Sequence, residues 1–110
     1  MTFPRWTAAL PSTPAAYAGA VVTAWETGDQ VALDRLTTET VRDQLVAHPP
    51  PAGSGPWPAP ECQVVTGQSY CLSAAGGHTV MLRVDDALVA QRAEHAVIEV
   101  LFDLPVGPPS

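Results

Sequence analysis

Cys62 and Cys71 are the only cysteines in this 110-residue chain, and a Thr66-Gly67 dipeptide lies between them. Two thiols admit one disulfide, half of a metal site, or a pair of free nucleophiles. Read as a two-residue hairpin turn, Thr66-Gly67 sets Val65 opposite Gln68, Val64 opposite Ser69, Gln63 opposite Tyr70, and Cys62 opposite Cys71. Alternation from the turn puts the cysteines at a non-hydrogen-bonded pair, where opposing side chains come closest, as a cross-strand bridge requires. A disulfide is therefore the expectation, with free thiols the alternative. There is no C-x-x-C and no second ligand pair at metal spacing, so neither a redox role nor a metal is expected.

The three histidines are less suggestive. His48 precedes three prolines and reads as a solvated helix end, and His95 reads as a surface residue near Glu99. His78 shares a strand face with Val80, Leu82 and Val84, which makes it the histidine best placed to face a pocket, together with Tyr70, Trp57 and Trp25. The carboxylates read as structural: Asp29 and the Asp85-Asp86 pair as caps and turn formers, Glu99 and Asp103 as solvated positions of the last strand. No G-x-S-x-G, glycine-rich phosphate loop or H-E-x-x-H occurs. No catalytic residue, cofactor or metal ligand is assigned.

These side chains must be positioned by two dissimilar halves. Thr13-Pro14 is a helix start, since the hydroxyl caps an orphan N–H and proline at the first position needs no donor. Tyr17, Val21, Ala24 and Trp25 then recur on one stripe. Gly28 can end that helix in the left-handed conformation and Asp29 can cap a second through Val31, Leu33 and Leu36; Thr37 or Thr38 can cap a third bearing Val41 and Leu45. "HPPPAGSGPWPAP", 48–60, cannot be helical and reads as a long connection anchored by Trp57.

Beyond it the hydrophobic period falls to two, with Thr66-Gly67 and Gly76-Gly77 as hairpin turns. The expectation is α+β: N-terminal helices on a curved antiparallel sheet of about four strands. Residues 1–12 form an extension, 13–104 one domain, and 105–110 a proline-rich tail. In the last strand Ala96, Ile98, Val100, Phe102 and Leu104 are expected to face the helices. Val97 and Leu101, with Met81, then form an outward patch suited to a protein partner or a second copy.

Composition excludes some classes. Eleven acidic against five basic residues give a net charge of −6 with no Lys/Arg cluster, so nucleic acid is not an expected partner. No apolar stretch is long enough for a membrane span, and the proline-interrupted start does not read as a signal peptide.

The pattern from Ala24 to Leu36, A-W-x-x-G-D-x-x-x-L-x-x-L, resembles the nuclear transport factor 2-like superfamily, and the cysteine-bearing half resembles a variant in exported proteins and lipoproteins of high-GC actinobacteria. The resemblance implies a cone of helices on a curved sheet over most of residues 12–104. The acid/base dyad of the superfamily's isomerases, cyclases and epoxide hydrolases has no counterpart here. Two functions are carried forward: a non-catalytic accessory domain of an envelope or secreted protein, and a small-molecule pocket protein, ligand unknown, of the isomerase or cyclase type. A disulfide argues for an oxidising compartment, which agrees with the missing signal peptide if the chain is an excised domain; a cytoplasmic location stays open.

Overall fold

A computed structural model describes residues 10–103. Thr13 caps the first helix, α1 (Pro14–Thr27), its hydroxyl accepting from the Ala16 N–H at 3.1 Å, and Gly28 ends it at φ 71°. Asp29 caps α2 (Gln30–Leu36) by accepting from Ala32 N–H, and Thr38 caps α3 (Glu39–Ala47) by accepting from Val41 N–H. Each cap satisfies a donor that the first helical turn leaves orphaned, which is why boundaries at these residues were legible.

Strands β1 (Glu61–Val65), β2 (Gln68–Ala75), β3 (His78–Asp85) and β4 (Val97–Phe102) form one antiparallel sheet in the order β1-β2-β3-β4. Both hairpins turn in two residues with positive φ, Thr66 (48°) and Gly67 (80°), then Gly76 (59°) and Gly77 (81°). Such turns match the twist of the strands they join. Between β3 and β4 lies a short helix, α4 (Asp86–Ala90), where the sequence suggested only a turn. Asp85 nucleates it by accepting from the N–H groups of Ala87 and Leu88.

The core lies between the helices and one face of the sheet. Tyr17, Val21, Val22 and Trp25 of α1, Leu33 and Leu36 of α2, and Val41 and Leu45 of α3 close over Cys71, Val80, Leu82, Val84, Val97 and Val100. The architecture is α+β, with the sheet open at its edges.

The last strand departs from strict alternation. Val84 pairs with Val97 but Arg83 pairs with Glu99, so Ile98 is an extra residue in a β-bulge. The bulge resets the phase: Ala96 and Val97 are both fully buried, and Val100 continues the inward face. Val97 is therefore a core residue and not part of an outer patch, a correction to the pattern-based expectation. Ile98, expected inward, is half-buried, as is Phe102, and Leu104 lies outside the described residues.

Candidate functional site

The outer face of the sheet carries a row of exposed and half-exposed apolar side chains. Register across three strands aligns Leu72 with Met81 and Met81 with Leu101 in a single row. Leu72 is 42% and Leu101 36% exposed, and Met81 between them is half-buried. The next row aligns Gln63, Tyr70, Arg83 and Glu99. Arg83 Nε donates to Glu99 Oε1 at 3.0 Å and its NH1 group donates to Gln68 Oε1 at 3.1 Å, so the guanidinium is held flat across the strands. Met81 and Leu101 thus stand where the sequence placed them, while the third member of the row is Leu72. The Gly76-Gly77 turn sets Leu72 opposite Met81 by the same register rule that sets Cys62 opposite Cys71.

Of the four candidate pocket residues, only Trp25 and Trp57 come together. Tyr70 is on the outer face, opposite in phase to buried Cys71. His78 lies at a sheet end with its Nδ1 3.1 Å from Asp103 Oδ1 and its side chain 41% exposed. Trp25 and Trp57 are packed edge-to-face at 5.0 Å between ring centroids, both nearly fully buried. Trp25 Nε1 donates to the His48 carbonyl, Trp57 Nε1 to Ser54 Oγ, and the Trp57 N–H to Glu26 Oε2. Phe102 packs against Trp25, and His48 stacks on Phe102. These aromatics plug the end of the helix-sheet interior, and every polar atom of the two indoles has a partner.

Cys62 and Cys71 are joined in a disulfide across β1 and β2, with Cα atoms 4.0 Å apart and in the register that the turn predicts. The spacing agrees with a non-hydrogen-bonded pair. Cys71 is fully buried, so the bridge ties the edge strand to the core.

His95 has φ 63°, its N–H donates to the Arg35 carbonyl, and its Nδ1 lies 2.7 Å from the Thr37 carbonyl. It fastens the end of α2 to the start of β4, a role that its position among polar residues did not reveal. Tyr17 does the same from α1: its hydroxyl donates to Ala93 O at 2.9 Å and accepts from Ala96 N–H at 3.3 Å. Burial, the largest cause, raises its pKa above that of an ordinary phenol; Glu94 adds to this, against the lowering effects of the Ala96 N–H and Arg35.

An open groove of 610 Å³ runs along α2 and α3, lined by Val31, Val46 and Ala47 together with Gln30, Asp34, Arg42 and Asp43. None of the sequence-predicted pocket residues reaches it. Its one cation is occupied, since Arg42 pairs with Asp34 and Asp43 at 2.8 Å each. The hydrogen bond that Arg42 donates to Asp43, then the charge of that carboxylate, raises the Arg42 pKa, with Asp34 adding to the effect. Among the described residues no three His, Cys, Asp or Glu side chains are grouped as metal ligands, and no helix is long and apolar enough to cross a membrane. Compared with protein-family models, curated proteins and solved structures, the chain matches none of them.

Proposed function

We propose that this domain is a non-catalytic accessory module that docks a protein through the outer face of its sheet. The observation that carries this is the row Leu72-Met81-Leu101, an apolar strip on a face that, among the described residues, no helix covers. Exposed apolar strips with polar rims are typical docking surfaces. The rim here is acidic: Glu61, Asp85 and Glu99 share the face with Arg83 alone, and the chain carries −6 overall. The occupant is accordingly a protein with an apolar strip flanked by lysines or arginines.

The packed indoles of Trp25 and Trp57 support this reading over a small-molecule pocket of the isomerase or cyclase type, because two of the residues expected to line such a pocket are nearly fully buried against each other. A nuclear transport factor 2-like assignment is part of the proposal, supported by the Trp25-Gly28-Asp29 joint and by three helices ahead of a four-stranded meander. A place in the envelope or outside the cell is proposed from the disulfide, which persists in oxidising compartments.

A photo-crosslinker at Leu72 should capture a protein whose purified form binds the wild type in a salt-sensitive way. Leu101→Lys should weaken that binding at least tenfold. Undiminished binding by Leu101→Lys, or dependence on Val31 and Val46 instead, overturns the reading.

A further inference from the structure

The two edges of the sheet differ. The β4 edge is closed at its start: the Val97 carbonyl accepts from Thr38 N–H at 3.1 Å, Thr37 bridges to Val97 in parallel, and α3 packs on the strand. β1 pairs with β2 on one side, and among the described residues nothing pairs with its other side. α1 touches this strand, yet Glu61, Gln63, Val64 and Val65 are left exposed. Sheet edges are commonly protected by lysines, prolines or bulges. ECQVV contains none of these, its one charge, Glu61, stands at its first position, and its pairing with β2 is unbroken.

Val64 is 66% and Val65 49% exposed. As neighbours on a strand they point to opposite faces, so a partner lying on one face would cover only one of them. An added strand flanks both. The turn at Thr66-Gly67 makes Val65-Gln68 the hydrogen-bonded closing pair, which leaves Val64-Ser69 and Cys62-Cys71 as non-hydrogen-bonded pairs. The N–H and C=O groups of Cys62 and Val64 therefore point out of the sheet. The disulfide at Cys62 holds them in line.

We propose that this edge pairs with β1 of a second copy of the chain, antiparallel and two-fold symmetric about Gln63, to make a continuous eight-stranded sheet. In this register Cys62 of each copy meets Val64 of the other, and two donors and two acceptors on each edge are matched in four hydrogen bonds. Gln63 meets its own counterpart at the close, non-hydrogen-bonded position, where two side-chain amides can pair. Glu61 faces Val65 and not another glutamate. The two Glu61 residues are four strand positions apart, about 13 Å at ~3.3 Å per residue, which exceeds the screening length of about 8 Å at physiological salt. The sequence of the edge is thus compatible with itself. The acidic outer faces would repel if stacked, and edge pairing leaves them apart. The interface closes on itself, so assembly stops at two copies.

Sedimentation equilibrium of the full chain from micromolar to millimolar concentration should show monomer and dimer only, with the dimer favoured as salt screens the −6 charges. Amide exchange at Cys62 and Val64 should slow with concentration, while Gln63 and Val65, already bonded to β2, stay unchanged. Val64→Pro removes an outward donor without breaking the ladder to β2 and should raise the dimer dissociation constant at least tenfold; Leu101→Lys on the outer face should leave it unaltered. A chain monomeric throughout the range, dimerisation lost in Leu101→Lys but kept in Val64→Pro, or a dimer that forms only after removal of residues 1–9 would each overturn the proposal.

Discussion

Val84 faces Val97 across β3 and β4 while the adjacent Arg83 faces Glu99, and this one-residue slip decides which side chains of the last strand meet the core. A strand has a period of two, so one extra residue exchanges the faces of everything on one side of it. Val97→Lys should therefore unfold the domain, because it places a charge at a fully buried site. Val97→Ala should cost roughly 2 to 3 kcal/mol from lost transfer energy plus the cavity. Leu101→Lys, four residues on and exposed, should cost under about 0.5 kcal/mol. Denaturant titration of the three variants reads this directly, and tolerance of Val97→Lys would contradict the bulge.

Breaking the bridge between Cys62 and Cys71 should lower stability by about 2 to 3 kcal/mol, the chain-entropy value for a closed loop of about ten residues. Non-reducing mass analysis should find the bond, and a thiol reagent should label neither cysteine before reduction. Full labelling of the native oxidised protein would contradict it.

Two glycines separate two sources of strain. A side chain at Gly28 would meet nothing within 4 Å, so Gly28→Ala should cost only the conformational term at φ 71°, about 1 kcal/mol. At Gly76, with φ 59°, an added Cβ would stand 3.0 Å from the Ser54 Cα. Gly76→Ala should cost more than Gly28→Ala and should also shift Trp57 fluorescence, since Ser54 Oγ accepts the Trp57 indole N–H. Equal costs with unchanged emission would show that the 48–60 connection does not press on the hairpin.

Tyr17 supplies a pH dependence with a definite sign. Its folded-state pKa is raised, so the neutral phenol is the form the fold prefers. The associated stability is fully present below about pH 10, the unfolded value, and is lost as pH climbs through the higher folded pKa. Chemical denaturation from pH 8 to 11 should show an alkaline loss that Tyr17→Phe flattens. That variant should itself cost about 1 to 3 kcal/mol by leaving the Ala93 carbonyl and Ala96 N–H without their partner.

Legibility followed the range of the interaction. Caps at Thr13, Asp29 and Thr38, the left-handed Gly28 and both two-residue turns are local chemistry, and the Cys62-Cys71 register follows from the turn by counting. The bulge at Ile98 was not legible, because V-I-E-V-L-F alternates equally well in either phase and the choice is made by Thr37 and Thr38 docking on Val97. Tyr70 was misplaced for a related reason. It is aromatic and near a cysteine, but phase alone decides its face, and Cys71 took the inner one. His95 is exposed, as the sequence suggested, but its fastening of a helix end was not legible because a left-handed histidine in that role has no sequence signature.

The 48–60 connection is gripped at both ends by α1. His48 O receives the Trp25 indole N–H, and Trp57 N–H is received by Glu26, the next residue along. The span between these grips includes an exposed tip at Ala52 and Gly53. A protease that cut the tip would sever the helices from the sheet covalently while leaving intact the grips and the core between the halves. The molecule should then behave as a split protein. The two pieces should stay together through gel filtration, come apart only in denaturant, and restore one cooperative melting transition when mixed again.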